Sequence, residues 1–432
     1  MYMLKSILVL ILLSFSLNAQ DLVDAVECRP RGGIPNFVKK LNAGETVKIG
    51  YLGGSITAQP GYRVHSRKWF QEKYPNAKIE EINAAIGGTG SELGVFRVDY
   101  DVLQHKPDLL FIEFAVNDGG APKEIITRAF EGIIRKTWKI NPETDICFVY
   151  TLVDRMVPTL QEGKFPQAAS FMEGIADHYN IPTIHMGVEV ADMVKKGTLI
   201  MKGEKGKMTA VSGKSLDEGS GKTGSVMVFS KDGVHPYTDT GHVLYMNAIE
   251  RSMKQIIPAG KATAHTLPKP LRDDHWDSAG KLNLSKIKSM NGFEKMPTDK
   301  GLGKRFGNRM PEMWQATKPG ATLEFKFKGS YLGFYDLLGP DCGVVEIEID
   351  GKKRTYKRMD GYCTYNRLSM LVVDRNLEDK VHTVKVTLTD EKLDKKNVLF
   401  ERNRHDFEKN PKKFEPHNWY VGGIFISGEL VE

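Results

Sequence analysis

The sequence predicts a two-domain protein: a three-layer α/β/α sandwich around a five-stranded parallel sheet, followed by an antiparallel β-sandwich. Between about residues 45 and 257, short apolar runs alternate with helical patterns, as the strands and covering helices of a buried parallel sheet do. From about residue 300 onward, apolar and polar residues alternate with a period of two, which is typical of half-buried strands. The length of 432 residues accommodates two domains of ordinary size.

Five runs predict the strands of the parallel sheet, at residues 47–54, 78–85, 109–116, 145–152 and 181–187. They are short, rich in β-branched residues and apolar on both faces, as strands covered on both sides must be. The clearest helix between them begins at Pro122 and ends at Asn141-Pro142, because apolar residues recur there at helical spacing. Alternating strands and helices imply right-handed crossovers and the three-layer arrangement.

Two segments interrupt this regularity. Residues 201–225 are rich in Gly, Lys and Ser and predict a mobile surface loop, either a plain insertion or a lid. Residues 258–299 are punctuated by Pro and Asp and lack periodicity, so we expect a linker or an irregular wrap. The predicted domains are therefore residues 20–257 and 300–432.

Composition excludes several classes of protein. Hydrophobic residues make up 41% and charged residues 27% of the chain, which is typical of globular proteins and excludes wholesale disorder or a multi-span membrane protein. Lys and Arg number 61 against 54 Asp and Glu, a net charge of +7. That excess is small for this length and is not gathered in one tract, so it does not indicate a nucleic-acid partner.

The first twenty residues have the pattern of an export signal. Lys5 precedes an apolar stretch over residues 7–17, and small-residue cleavage chemistry follows at Ala19. The stretch is too short to span a bilayer comfortably, although an N-terminal membrane anchor is the alternative. We expect residues 1–19 to be removed and the mature protein to be secreted or periplasmic, without a membrane span.

The four cysteines allow three complete disulfide pairings, among which the sequence does not choose. Cys147 lies in a strand-like apolar run, which predicts a buried free thiol, whereas Cys342 and Cys363 lie in one later segment and are able to pair. Cys28 is the fourth. No cysteine or histidine spacing indicates a structural zinc, and we expect no metal or cofactor.

Four polar blocks fall where loops leave the carboxyl edge of the predicted sheet or where its last helix begins. Ligands of open α/β sheets bind at this edge. Gly-Gly is a turn that leaves room around a following hydroxyl, and each other block alone suits a turn or a helix cap. The blocks are Gly53-Gly54-Ser55, the run from Asn83 to Ser91 with Gly87-Gly88, Ala115-Val116-Asn117-Asp118, and Asp232-Gly233-Val234-His235.

In this order the four blocks resemble those of the SGNH (GDSL-type) hydrolase superfamily, over about residues 45–257. The resemblance implies a flavodoxin-like hydrolase domain in which Ser55 is the nucleophile, His235 its general base and Asp232 the residue that orients the histidine. It also implies an oxyanion hole made by the backbone N–H groups of Ser55 and Gly88 and the side-chain amide of Asn117. Histidine suits the role of base because its ordinary pKa lies near neutral pH.

Two positions depart from the family pattern. The usual Gly-Asp-Ser is Gly53-Gly54-Ser55, which lacks the acidic residue before the nucleophile, and the Gly two residues before the Asn is Ala115. Neither change removes a catalytic group, so we expect the chemistry to survive. Tyr62 and Arg63 follow the nucleophile and are candidate substrate contacts, with helix entry or packing as the alternative.

The second domain carries no motif of its own. Its aromatic residues suit either the stacking of sugar rings or a sandwich core, and its aspartates Asp336, Asp341 and Asp350 lack the spacing of a calcium loop. The layout is similar to that of exported carbohydrate esterases that join an SGNH domain to a jelly-roll-like domain. The aromatic residues are Trp314, Tyr331, Tyr335, Tyr362, Tyr365, Trp419 and Tyr420.

Together these features predict an exported serine esterase that removes acyl groups, above all O-acetyl groups, from a carbohydrate. Two alternatives are a lipid or aryl esterase of the same superfamily and a catalytically silent glycan-binding protein. Chain-length preference on artificial esters distinguishes the first alternative, and glycan binding without turnover distinguishes the second.

Overall fold

The structure is a computed structural model that describes residues 22–204 and 226–431. The expected signal peptide and most of the expected loop at 201–225 lie outside the described residues. The described residues form two large sheets, one mostly parallel and one antiparallel, and a small two-stranded sheet; residues 257–278 connect the two large sheets in sequence.

The first sheet has six strands in the order β1-β6-β5-β4-β2-β3, five of them parallel. This confirms the five-stranded parallel sheet. The short edge strand β1 runs antiparallel to β6 and was not predicted, since two residues carry no periodic signal. The strands are β1 (Cys28–Arg29), β2 (Thr46–Gly53), β3 (Lys78–Asn83), β4 (Leu109–Glu113), β5 (Asp145–Tyr150) and β6 (Thr183–His185).

Helices cover both faces of this sheet, and α5 shows how closely the sequence pattern predicts them. It begins after Pro122 and ends before Asn141, as expected, and its apolar face is buried. The helices are α1 (Pro35–Asn42), α2 (Ser55–Ala58), α3 (Tyr62–Lys73), α4 (Ser91–Asp101), α5 (Lys123–Ile140), α6 (Val157–Gln161), α7 (Gln167–Tyr179), α8 (Val188–Lys195) and α9 (Gly241–Ile256).

β7 (Leu199–Lys202) and β8 (Met227–Ser230) form a parallel pair of short strands. The first residues of the expected loop, Met201 and Lys202, therefore belong to a strand. The pair brings Ser230 to the start of the segment that carries Asp232 and His235.

The second sheet has ten antiparallel strands and confirms the β-sandwich. Three of them lie within residues 258–299, so the expectation of a linker there is wrong from Ala279 onward. Strands of three or four residues at a sheet edge are too short for alternation to reveal them. The elements are β9 (Ala279–Leu282), β10 (Ser289–Asn291), β11 (Phe293–Lys295), α10 (Gly301–Phe306), β12 (Trp314–Ala316), β13 (Thr322–Leu338), β14 (Val344–Ile349), β15 (Lys352–Lys357), β16 (Arg367–Asp374), β17 (Lys380–Leu388), α11 (Lys395–Val398), α12 (Arg404–Lys409) and β18 (Trp419–Val431).

The long strand β13 organises this domain. Residues 322–329 pair with β17 and residues 332–338 pair with β16, with a register shift at Leu332/Gly333. Such irregularities bend a strand and let a sheet close over its own core. The enclosed core includes Phe327, Val386 and Trp419.

Aromatic rings join the two domains in one continuous core. Phe96 of α4 lies 4.5 Å from Tyr331 and 5.0 Å from Phe425, measured between ring centroids. Trp276 packs edge-on against Tyr331 at 5.3 Å. Because these rings are buried, the β-sandwich is fixed against the helix that follows the second polar block.

All four cysteines are free thiols, so the pairing considered for Cys342 and Cys363 does not occur. Their thiols contact other groups, Cys342 the carbonyl of Leu337 and Cys363 the carboxylate of Asp360. Cys147 is buried, as predicted. Within residues 22–204 and 226–431, none of the helices has the length and apolar character that crossing a membrane requires.

Candidate active site

Ser55 lies at the carboxyl edge of the parallel sheet, where β2 gives way to α2. The strand ends at Gly53, Gly54 is extended, and Ser55 is the first helical residue. Because Ser55 lies in the first turn of the helix, its backbone N–H has no partner within the helix. Ser55 is half-buried and reachable from solvent.

The structure brings Ser55, His235 and Asp232 into one line. Ser55 Oγ lies 2.9 Å from His235 Nε2, and His235 Nδ1 lies 2.8 Å from Asp232 Oδ2. The side chains of His235 and Asp232 are 41% and 50% exposed, so the line opens directly to solvent. Ser55 follows β2 of the parallel sheet, whereas His235, 180 residues later in the chain, follows the short strand β8, which lies outside that sheet.

The segment that carries Asp232 and His235 is held by hydrogen bonds at both ends. Ser230 Oγ accepts from the N–H of Gly233 at 2.8 Å and donates to the carbonyl of Met201 at 2.6 Å. Gly233 has a φ of +82°, which favours glycine, and its carbonyl accepts from the N–H of Asp154. The histidine therefore projects from a fixed turn.

Asp232 is arranged to remain ionised. Partial burial acts to raise its pKa, but hydrogen bonds from the side chain and N–H of His235 and from the N–H of Val234 outweigh it and lower the pKa to about 2. A carboxylate at this position fixes the histidine tautomer with its proton on Nδ1 and leaves Nε2 free to accept the serine proton.

Residues 84–91, here called the oxyanion loop, connect β3 to α4 and pass beside Ser55. A Cβ placed on Gly87 would lie 3.5 Å from Ser55 Cβ, whereas one on Gly88 would meet nothing within 4 Å. Gly88 has a φ of +73° and is exposed. Its surroundings are open, which is compatible with a bound oxygen there.

Asn117 is exposed on the loop after β4 and points toward the turn of the nucleophile. A Cβ on Gly54 would overlap Asn117 Oδ1 and would lie 3.4 Å from Nδ2. The structure thus places Asn117, Gly88 and Ser55 around the same edge. The neighbouring Asp118 accepts from the N–H of Ser91 at 3.0 Å and so ties this loop to the oxyanion loop.

Sequence reasoning missed Glu113, a fully buried carboxylate at the end of β4 beneath Ser55. Its oxygens accept from Thr57 Oγ1 at 3.0 Å and Thr151 Oγ1 at 2.7 Å, and from the N–H groups of Gly54 and Val116. Glu113 thereby connects the loops after β2, β4 and β5. The signal that could have identified it is a single charged residue in an otherwise apolar strand pattern.

The expectation that Tyr62 and Arg63 contact substrate is wrong, because both side chains are buried and bonded within the protein. The Tyr62 hydroxyl lies 2.7 Å from Thr57 Oγ1, and Arg63 pairs with Glu81 and donates to the carbonyl of Thr57. Both support the helical turn that begins at Ser55. The buried His242 accepts from the N–H of Tyr62 at 3.1 Å.

A cavity of about 380 Å³ lies between the domains beside the oxyanion loop. Its walls include Gly88 and Asn117 from the first domain and Arg367, Ser369 and Arg375 from the second. We call the edge of the sheet that carries Ser55, Gly88 and Asn117 the catalytic edge, after its predicted role. The cavity makes this edge continuous with a polar surface of the β-sandwich.

The structure separates the aromatic residues of the second domain into two groups. Tyr362 and Tyr365 are each 51% exposed, whereas the remaining five are buried or nearly so. Arg367, which lines the cavity, lies over the Tyr362 ring at 5.5 Å. Tyr362 thus contacts a residue of the cavity wall, whereas Tyr365 lies near Arg305, with its ring centroid 5.9 Å from the guanidinium carbon.

The aspartates of the second domain are engaged within the protein. Asp336 pairs with Arg358, Asp341 accepts from Asn366, and Asp350 pairs with His382. Across the described residues, no three His, Cys, Asp or Glu side chains are grouped as a metal site requires.

Comparison with known proteins finds relatives of the first domain. Residues 51–209 match the GDSL-like Lipase/Acylhydrolase family. An arylesterase of Vibrio mimicus is 35% identical over 88 residues, which are 18% of this chain. The match spans 43% of the length of that curated relative.

Two crystal structures share the complete two-domain fold. Both are of a two-domain esterase (CEX) active on acetylated mannans, and one was co-crystallized with mannopentaose. They superpose with TM-scores of 0.68 and 0.67 at 23% identity, over 93% of this chain and 97% and 98% of theirs. The likeness therefore includes the β-sandwich and its position after the hydrolase-like domain.

Proposed function

We propose that this chain, whose residues 51–209 match the GDSL-like Lipase/Acylhydrolase family, is an exported serine esterase that removes acyl groups, above all acetyl, from a carbohydrate. One observation carries the proposal: Ser55 Oγ, the His235 ring and the Asp232 carboxylate are connected by contacts of 2.9 and 2.8 Å. Hydroxyl, imidazole and carboxylate in this order are the groups of nucleophilic acyl transfer.

In the first half of the reaction, Ser55 Oγ attacks the ester carbonyl carbon while His235 Nε2 takes the hydroxyl proton. The negative charge of Asp232 stabilises the resulting imidazolium. The carbonyl oxygen becomes an oxyanion that accepts hydrogen bonds from the N–H groups of Ser55 and Gly88 and from Asn117 Nδ2. The C–O bond to the sugar then breaks, the sugar oxygen takes the proton from His235, and an acyl-serine remains.

In the second half, water replaces the sugar. His235 Nε2 takes a proton from the water, whose oxygen attacks the acyl carbon, and the same donors stabilise the second oxyanion. The bond to Ser55 Oγ breaks and the serine recovers its proton from His235. The products are a free sugar hydroxyl and the carboxylic acid.

A carbohydrate ester suits the surroundings of the site. The catalytic edge is exposed and leads into a polar cavity lined by Arg367, Ser369 and Arg375, rather than into an enclosed apolar tunnel. Tyr362 and Tyr365 offer exposed rings, of which Tyr362 contacts Arg367 of the cavity wall, and such rings stack on sugar faces. The solved esterase that shares the two-domain fold is active on acetylated mannans, which supports a glycan substrate here.

Export belongs to the proposal because polymeric glycans lie outside the cell. It rests on the sequence of residues 1–19, in which Lys5 precedes an apolar stretch and Ala19 precedes the expected cleavage point.

Aryl esters are a second candidate substrate class. The observation that favours them is the 35% identity to an arylesterase, which is limited to 88 residues. In this case turnover would be fastest on phenyl esters and the β-sandwich would have no part in substrate choice.

The test compares mature wild type with Ser55→Ala, and with Ser278→Ala as a matched control at an exposed serine. Acetate release is measured on acetylated mannan, acetylated xylan and 4-nitrophenyl acetate. We expect Ser55→Ala to lose activity by on the order of a thousandfold or more and Ser278→Ala to keep it. Equal release by wild type and Ser55→Ala would remove Ser55 from the mechanism. Release from 4-nitrophenyl acetate alone would favour the aryl esterase.

A further inference from the structure

We infer that the β-sandwich positions the oxyanion loop for catalysis, through Arg309 on one side of the loop and Arg375 on the other. The inference rests on the proposed esterase function and assigns these two residues as positioning residues for that reaction. The accessory domain would then contribute to turnover even of an ester too small to touch it.

Arg375 holds the end of the loop. Its Nε donates to Glu92 Oε1 at 2.6 Å and its Nη2 to Glu92 Oε2 at 2.9 Å, a bidentate pair with fixed geometry. Tyr331 of β13 donates its hydroxyl to Glu92 Oε1 at 3.0 Å. Glu92 is the second residue of α4, so two residues of the β-sandwich fix the helix directly after the loop.

Arg309 holds the beginning of the loop. Its Nη2 donates to the carbonyls of Asn83 at 3.2 Å and Ala85 at 3.1 Å. The buried Arg97 of α4 donates to the carbonyl between them, that of Ala84. Three consecutive carbonyls at the end of β3 therefore accept from guanidinium groups, and the β-sandwich supplies the donor for two of them.

Between these two attachments the first domain holds the loop at Ile86, whose N–H donates to the carbonyl of Gly53 at 3.0 Å, and at Ser91, whose N–H donates to Asp118. Gly87 and Gly88 are exposed, and a side chain at Gly88 would meet nothing within 4 Å. Within the loop, Thr89 Oγ1 donates to the carbonyl of Ile86 at 2.8 Å. The exposed pair Gly87-Gly88 thus lies between supported residues, and the β-sandwich contributes to that support through Arg309 and Arg375.

An oxyanion donor stabilises the transition state only when it lies within hydrogen-bond distance of the developing charge. A displacement of about 1 Å costs up to about 100-fold in rate. Loosening either attachment is therefore expected to lower kcat, because the donor acts on the transition state more than on the bound ester.

The experiment measures kcat and KM on 4-nitrophenyl acetate for Arg375→Ala, Arg309→Ala and the double variant. We expect each single change to lower kcat about 10- to 100-fold with KM within about twofold of wild type. Asn376→Ala is the matched control, because it removes a 2.7 Å interdomain bond from Arg128 without touching the loop, and it should keep kcat. Arg375→Lys retains the charge but loses the bidentate geometry and covers the case in which Arg375→Ala does not fold.

Hydrogen–deuterium exchange separates this inference from the proposed function. Performed on the Ser55→Ala background, it needs no activity. Faster exchange of the amides of residues 86–90 in Arg375→Ala and Arg309→Ala, but not in Asn376→Ala, is the expected result. Folded variants with unchanged kcat and unchanged exchange would overturn the inference, whatever substrate the enzyme uses. If wild type shows no esterase activity while Arg375→Ala and Arg309→Ala still exchange faster, the result would overturn the proposed function alone.

Discussion

The side chain of Asn117 occupies the space that a side chain at position 54 would need. A Cβ on Gly54 would overlap Asn117 Oδ1 and lie 2.9 Å from its Cγ. With Asn117 in this position, a side chain at position 54 has no room. Glycine lets the amide lie against the turn that presents Ser55, where an oxyanion donor is needed.

Gly54→Ala is expected to impair catalysis by displacing Asn117. The added methyl group forces the amide away from the nucleophile turn, and loss of one oxyanion donor lowers kcat by about 100-fold. Steady-state kinetics on 4-nitrophenyl acetate measure the effect. The control is Gly174→Ala in α7, where a Cβ meets nothing within 4 Å. Normal kcat in folded Gly54→Ala would mean that Asn117 has no part in oxyanion stabilisation.

The arrangement of the site was largely predictable because parallel strands impose it. Ser55, Asn117 and the oxyanion loop each follow a strand of the same sheet, and such segments must meet at its carboxyl edge. The place of His235 followed from the order of the blocks. Local pattern alone was sufficient for β2, β4 and α5.

What escaped prediction depends on contacts between distant segments. Glu113 collects Thr57 and Thr151 from two other loops, and no local pattern encodes that meeting. The attachment of Arg375 to Glu92 joins residues 283 positions apart. Tyr62 and Arg63 were misassigned because burial of a polar side chain depends on its tertiary partners.

Glu113→Gln is expected to lower both stability and kcat. The new amide group faces hydroxyl and N–H donors where an acceptor stood, which costs about 1–3 kcal/mol of unfolding free energy. It also loosens Gly54 and Val116, the neighbours of Ser55 and Asn117. Denaturant unfolding and kinetics on 4-nitrophenyl acetate are to be measured together.

Glu131→Gln is the matched control for this change. Glu131 is equally buried and accepts from the Tyr179 hydroxyl and the N–H groups of Leu271 and Arg272. We expect a similar loss of stability with kcat preserved. A parallel loss of kcat in both variants would reduce the role of Glu113 to general stability.

Asp118→Asn is expected to change how stability depends on pH. Burial raises the pKa of Asp118 to about 7, against the opposing hydrogen bonds from Ser91. The folded state keeps this proton up to about pH 7 while the unfolded chain loses it near pH 4, so this group lowers stability as pH rises between those values. The slope is at most about 1.4 kcal/mol per pH unit.

Asparagine does not titrate, so the unfolding free energy of Asp118→Asn relative to wild type should increase from pH 5 to pH 8. Urea denaturation at four pH values measures this difference, and the effect of other titrating groups cancels. Asp273→Asn, at an exposed aspartate, serves as the control and should show no such trend. A constant difference between Asp118→Asn and wild type would contradict the raised pKa.

Tyr362→Ala and Tyr365→Ala are expected to weaken binding of a polymeric substrate and leave a small ester unaffected. Both rings are half exposed, and Tyr362 contacts Arg367 of the cavity wall. Exposed aromatic rings add affinity through apolar contact with a sugar face. We expect KM for acetylated mannan to rise about 5- to 20-fold, which corresponds to roughly 1–2 kcal/mol, with kcat/KM for 4-nitrophenyl acetate unchanged.

Tyr100→Ala, at an exposed tyrosine of α4 that lines a different cavity, is the matched control and should change neither. An equal loss on both substrates would show that the tyrosines support the fold of the catalytic edge, and no loss on either would remove them from the glycan path.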